Sequence, residues 1–144
     1  MIKYSHKQIG SLMLYVLIFI IILFTVTFIA SGFDIFALLI SILVILIILS
    51  FSSLTVFIDE ENLNIKFGYG IYKKQFLLSE IMSAKTVKNH WYYGWGIRWW
   101  NNTWIYNVSG FDAIEIVMKN GKVYRIGTND PIELEQKINL EIKH

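Results

Sequence analysis

Two long apolar runs dominate the first third of the chain, Gly10–Ala30 and Phe33–Phe51, the second extendable to Leu54. Both are rich in Ile, Leu, Phe and Val; after Asp34 at the start of the second, the polar interruptions are Ser and Thr, whose hydroxyls can bond back to the carbonyls of their own helix. A helix rises about 1.5 Å per residue, so a hydrocarbon core about 30 Å thick needs about 20 apolar residues. Each run meets that length. The pattern predicts two helices, at about 10–30 and 33–53, and the few residues around Ser31–Asp34 can only turn the chain back on itself.

Beyond Leu54 the period changes to alternation, the mark of half-buried strands. Leu54–Ile58 is the first predicted strand, followed by a polar turn at Asp59-Glu60-Glu61. Leu63, Ile65 and Phe67 alternate with Asn62, Asn64 and Lys66 in the second, which ends at Gly68-Tyr69-Gly70. Tyr72, Phe76 and Leu78 share one face of the third, with Lys74 on its margin, and Ser83–Asn89 is a fourth. Trp104–Ser109, Ala113–Lys119 and Lys122–Gly127 complete a set of seven. Asn120-Gly121, between the last two, predicts a type I′ hairpin turn, because both residues accept φ > 0. A helix over 131–142 closes the chain. Asp130 suits the N-cap, Pro131 the first helical position and Glu133 a capping box, while Leu134, Ile138 and Ile142 form one apolar stripe. The expected architecture is a membrane α-helical hairpin (1–53) followed by a mainly-β domain (54–144), a seven-stranded barrel or sandwich with a C-terminal helix.

Composition sharpens this division. Hydrophobic residues make up 55% of the 144 positions, and the excess lies before Leu54. Lys3 and Lys7 precede the first helix and Lys66, Lys73 and Lys74 follow the second, while the intervening turn carries only Asp34. Positive residues are retained on the cytoplasmic side, so both termini are expected inside, in a multi-pass arrangement. A cleaved signal peptide is the competing reading of the first run, but its apolar stretch far exceeds the usual h-region of about 7–15 residues. Asn101-Asn102-Thr103 and Asn107-Val108-Ser109 match glycosylation acceptors and in this orientation are chance matches. Charge is absent from Gln8 to Phe33 and again from Ile35 to Ile58, which argues against a transport or proton-relay role. Ala37 and Ser41 have the small-xxx-small spacing found at helix contacts.

The net charge of +2 gives no case for nucleic acid, and the absence of cysteine excludes disulfides, thiolate metal sites and a thiol nucleophile. His6, His90 and His144 lack metal-ligand spacing. Asp59, Glu60 and Glu61 read as a solvated turn, Glu133 and Glu135 as helix-dipole partners, and Glu115 as a strand residue facing water. No carboxylate pair, GxSxG motif, P-loop or dinucleotide fingerprint is present, and Ser109 beside Gly110 has no histidine nearby in sequence to activate it. Neither catalytic residues, nor a metal, nor a cofactor is expected.

The unusual stretch is Trp91-Tyr92-Tyr93-Gly94-Trp95-Gly96-Ile97-Arg98-Trp99-Trp100, with Trp104 just after. Its ordinary reading is packing, since aromatics bury large areas. A second is an interfacial belt, because Trp and Tyr favour the headgroup level. A third is a partner surface, because Trp, Tyr and Arg are enriched at binding hot spots. Trp91, Tyr93, Trp95, Arg98, Trp99 and Trp100 are therefore the candidate membrane-interface or partner residues. Lys73 and Lys74, with Lys85 and Lys88, are candidates for contact with anionic lipid, against the ordinary reading of a solvated strand face.

Gly94-Trp95-Gly96-Ile97-Arg98, Tyr106-Asn107-Val108-Ser109-Gly110 and Arg125-Ile126-Gly127-Thr128 leading into Asp130-Pro131, together with the order of elements, resemble bacterial membrane proteins with pleckstrin-homology-like (PH-like) domains. More narrowly, the chain is similar to a group of small two-helix bacterial membrane proteins. The resemblance implies seven antiparallel strands and a C-terminal helix behind a transmembrane hairpin in a bacterial plasma membrane. Eukaryotic domains of this fold that grip phosphoinositides carry a basic first hairpin. Here that turn is acidic, which argues against inositol phosphate. The expected function is a non-enzymatic, membrane-tethered binding or scaffold module engaging a protein partner or itself. The alternative is a reader of anionic lipid headgroups through the Trp-rich stretch and Lys73/Lys74. A membrane enzyme is the least favoured.

Overall fold

The computed structural model describes residues 1–142; His144 lies outside them. Two N-terminal helices, two sheets and a C-terminal helix are the main elements of the described residues. The strands are β1 (Tyr4–Ile9), β2 (Ser53–Ile58), β3 (Asn62–Phe67), β4 (Tyr72–Leu77), β5 (Ile81–Lys88), β6 (Gly96–Trp100), β7 (Thr103–Asn107), β8 (Asp112–Met118) and β9 (Val123–Gly127), and the helices are α1 (Ser11–Ser31), α2 (Ile35–Ser50) and α3 (Pro131–Glu141).

α1 has 21 residues, about 31 Å of helix, and is long and apolar enough to cross a membrane. α2 is equally apolar but has 16 residues, about 24 Å. Asp34 caps α2 by accepting from the backbone N–H of Phe36 at 2.8 Å and of Ala37 at 3.4 Å. This satisfies donors that a helix start otherwise leaves unpaired. Ser41 and Ser50, the two hydroxyl residues of α2, each donate to the carbonyl four residues back at 2.7 Å.

Among the described residues nine strands are present where seven were expected. The four-stranded sheet runs β1-β2-β3-β4, all antiparallel, and the five-stranded sheet runs β5-β8-β9-β7-β6, with β7 and β9 parallel. The first additional strand, β1, corrects the boundary expected at residue 53/54. Its residues pair along the whole of β2, from Tyr4 opposite Ile58 to Ile9 opposite Ser53. The helical hairpin is thus an insertion between two neighbouring strands of one sheet, closed at its base by the Gly10 N–H donating to the Ser52 carbonyl at 2.7 Å. The second additional strand, β6, lies within the Trp-rich stretch. It turns into β7 through Asn101 and Asn102, at φ 45° and 61°. Two consecutive positive φ values make a type I′ turn, and Asn tolerates them better than most residues.

The Asn120-Gly121 turn differs from expectation. Only Gly121 has positive φ there. Its N–H donates to the Met118 carbonyl at 2.9 Å, and the Met118 N–H to the Lys122 carbonyl at 2.9 Å, the pattern of a three-residue loop with a glycine bulge.

The core lies between the sheets. Leu54, Val56, Ile58, Leu63, Ile65, Phe67 and Phe76 from one sheet meet Ile114, Ile116, Tyr106, Tyr124 and Ile126 from the other. Leu134 and Ile138 of α3 are fully buried in the same cluster, and Ile142 packs on it. Asp130 precedes α3 without capping it; its Oδ2 instead accepts from the Tyr4 hydroxyl at 3.4 Å. Glu135 has a role beyond the helix dipole. Its Oε2 accepts from the backbone N–H of Thr86 at 2.7 Å and from the Thr86 hydroxyl at 2.6 Å, while Asn139 donates to the Ala84 carbonyl at 3.2 Å. These contacts occupy part of the open edge of β5, which would otherwise offer unpaired backbone groups.

Candidate functional site

The candidate residues fall into four places. Adjacent residues of a strand point to opposite faces, so Lys73 and Lys74 part company in β4. The register puts Lys73 opposite Lys66, Lys66 opposite Thr55 and Thr55 opposite Lys7. A row of three lysines therefore crosses the outer face of the four-stranded sheet, two pairing steps from the hairpin base. Like charges directly opposite one another repel, and none of the ion pairs among the described residues engages Lys7, Lys66 or Lys73. Lys85 and Lys88, grouped with them in the sequence, pair instead with Glu115 at 3.1 Å and Asp112 at 3.8 Å on the other sheet.

The β3–β4 turn beside this row sits against α2. Gly68 is at φ +48°, and a side chain there would strike the Ser50 backbone. The tip beyond it carries Tyr69 and Ile71, which are 83% and 72% exposed. Two large apolar side chains thus stand open to solvent next to the end of the hairpin.

Trp95 and Arg98 form the second place. Together with Gly96 and Ile97 they line a cavity of about 320 Å³ against Met13, Ile47, Ile48 and Phe51 at the hairpin base. Arg98 Nε donates to the Trp95 carbonyl at 3.3 Å. The Trp95 indole nitrogen is buried without a protein acceptor.

The third place is the outer face of the five-stranded sheet. A 3₁₀ turn over Trp91–Tyr93 folds across it. The Tyr93 ring lies 5.6 Å from the Arg125 guanidinium, and Tyr92 and Tyr93 approach Trp100 at 6.1 and 6.4 Å. His90 stacks on Tyr92 at 5.1 Å. Beneath them Arg125 Nε donates to Glu115 at 2.8 Å. Burial pushes the Glu115 carboxyl up, but Arg125 and Lys85 together outweigh it and hold the group below the ordinary glutamate value. Glu115, expected to face water, is therefore the anion of a three-residue charge cluster. Trp91 remains mostly exposed.

The fourth place joins Lys74 to Trp99 across the seam between β4 and the five-stranded sheet. It is an open cleft of about 380 Å³. Lys74 Nζ lies 4.8 Å from the Tyr124 ring centre and 6.0 Å from that of Tyr106. Burial, then the proximity of Lys122, pulls the Lys74 ammonium below its ordinary value. The Tyr72 and Tyr106 hydroxyls lie 3.4 Å apart in hydrogen-bond contact, and burial drives the Tyr106 phenol well upward.

Sequence reasoning missed Lys7 and Lys66 as partners of Lys73, and Lys122 as a partner of Lys74. For the first, the signal was the alternation within each strand, but it needed the register of β1. No three or more His, Asp or Glu side chains converge as a metal site among the described residues. No protein-family model matches the chain, and no curated protein matches it in sequence.

Proposed function

We propose that the protein is a membrane-anchored, non-enzymatic binding module on the cytoplasmic face of a bacterial plasma membrane, engaging a protein partner or copies of itself. The observation that carries this reading is the hairpin: apolar throughout, with no buried residue in α1 and mostly exposed apolar side chains in α2, it is inserted between two paired strands of the domain's own sheet. In this reading both helices enter the bilayer, α2 as the shorter arm, and the lysines beside the base keep the domain inside. The domain is then held at two points, which suits presentation of a fixed face. The likeness to PH-like domains belongs to this reading through the seven expected strands and α3; β1, β6 and the parallel β7/β9 pair depart from it.

The natural sequence lacks cysteine, so single cysteines can be placed without background. Gly32→Cys at the hairpin tip should react with a membrane-impermeant maleimide in intact cells. Asn120→Cys, at the far end of the domain, should react only in inverted vesicles. The opposite pattern, or release of the full chain by alkaline carbonate, overturns the membrane arrangement. For the partner, crosslinking at native expression should capture a second chain, and recovery of the monomer alone argues against a scaffold.

A second reading, contact with anionic lipid, is favoured by the unpaired Lys7–Lys66–Lys73 row beside exposed Tyr69 and Ile71. Each lysine near such a surface contributes about 1 kcal/mol. Ile71→Cys carrying an environment-sensitive dye should shift to the blue when phosphatidylglycerol is added to phosphatidylcholine vesicles, and the shift should shrink with salt. An unchanged spectrum rejects it.

A further inference from the structure

The seam cleft combines features with no evident structural purpose. Lys74 and Lys122 line the same opening, and none of the ion pairs among the described residues engages either of them. Lys74 is held instead over the faces of Tyr124, Phe76 and Tyr106, at 4.8, 5.7 and 6.0 Å. Ring faces attract a cation, but they leave its positive charge uncancelled and its ammonium donors without an anionic acceptor. The cleft mouth is flanked by Trp99 and Trp104, register partners on β6 and β7 that remain 61% and 41% exposed. Asn102 and Asn120 add side-chain amides to the rim. A volume of about 380 Å³ falls within the usual range for small-molecule pockets, roughly 300–1,000 Å³, which pair apolar walls with a few convergent polar groups.

We propose that this cleft binds a small organic anion, its oxyanion head between Lys74 and Lys122 and its planar body against Trp99 and Trp104. Two ammoniums and two side-chain amides supply donors, and the oxyanion supplies the acceptors they lack. The indoles supply flat apolar surface for a ring. The site is separate from the lysine row on the outer face, because Lys73 points away from it, and it does not depend on whether the hairpin lies in lipid.

Calorimetric titration of the full chain in an uncharged detergent tests this with 1-naphthyl phosphate, inorganic phosphate and glycerol 3-phosphate. The naphthyl compound should bind saturably and at least tenfold more tightly than the other two. Lys74→Gln and Lys122→Gln should each weaken it about tenfold, the size expected for one lost charge-assisted bond, and Lys73→Gln should leave it unchanged. Trp99→Ala should bring naphthyl phosphate down to the level of inorganic phosphate. Absence of saturable binding overturns the site. Equal losses from Lys73→Gln and Lys122→Gln overturn it in favour of a diffuse charge effect. Glycerol 3-phosphate binding as well as the naphthyl compound overturns the planar body and points to a lipid-type headgroup. Because Lys122 is exposed, its variant remains informative if Lys74→Gln fails to fold.

Discussion

The hairpin and the β domain use the same kinds of residue in opposite ways. In α1 no residue is buried, and Ile, Leu, Val and Phe point outward on all sides. In β2 and β3, Leu54, Val56, Ile58, Leu63, Ile65 and Phe67 are 0–2% exposed and point toward one shared core. Apolar surface of the first kind is costly in water and comfortable in hydrocarbon, whereas surface of the second kind is what water drives together. The two regions are nevertheless one structure, since the hairpin leaves and rejoins a single sheet. Hydropathy thus separates regions that strand pairing unites.

The sharpest way to break the comparison is to remove one side of it. Replacing residues 11–51 by a two-residue Asn-Gly turn should join β1 to β2 directly, because Ile9 and Ser53 already face each other. The product should be soluble, with a strand-type circular dichroism spectrum and a cooperative melt. A fragment starting at Leu54 should aggregate, because it lacks β1 and bares the edge of β2. If the shortened chain is insoluble, the two regions are not separable.

Next in size, one substitution made in each region should give unequal results. Ile114→Ala, at a fully buried position, should cost about 2–5 kcal/mol of domain stability in detergent melts. Ile22→Ala, 56% exposed in α1, should cost under about 0.5 kcal/mol. Equal losses would mean that α1 is packed against protein.

A smaller effect separates charge from packing within the domain. The Glu115 carboxyl sits below its ordinary value when folded, so its contribution is fully present above the unfolded value of about 4.3. It is lost as pH falls from there through the folded value. Glu115→Gln should cost about 1.5–3 kcal/mol at pH 7, and the gap to wild type should close in acid. A gap that stays constant with pH would assign the loss to shape alone. Smallest of the set, Asn102→Val should cost about 1–2 kcal/mol in the same melts, because a β-branched residue resists the positive φ of that turn.

α1 and α2 were legible as unbroken apolar runs, α3 by its stripe of period 3.6, and seven strands by period 2. β1 was not. Its inward positions are Tyr4, His6 and Gln8 while Ile9 points out, so its polarity pattern is nearly inverted. Gln8 is buried by donating to the Ser109 carbonyl at 3.0 Å, and His6 meets Asn129 at 2.5 Å. These are tertiary partners that no local window reveals. β6 was hidden by uniformity, since aromatics on both faces erase the alternation, although Asn101-Asn102 between strand-forming residues was a readable turn. The Trp-rich stretch stands out in the sequence by composition, but its pattern does not show where it divides. Gly94 and Gly96, both at positive φ, break it into a turn and a strand that serve different faces. Lys74 was legible as a margin residue of the inward face, whereas Lys122 beside it required the packing of two sheets.

The inserted hairpin also sets an order on how the molecule is made. β1 leaves the ribosome first, yet its partner β2 follows only after the whole hairpin has emerged. Closing so long a loop adds little entropy, because the cost grows with the logarithm of length, so the delay is one of time rather than of equilibrium. Until the hairpin folds back, β2 emerges with an open edge. A chain whose hairpin does not fold back leaves the edge of β2 unpaired, and an open strand edge is prone to mispairing.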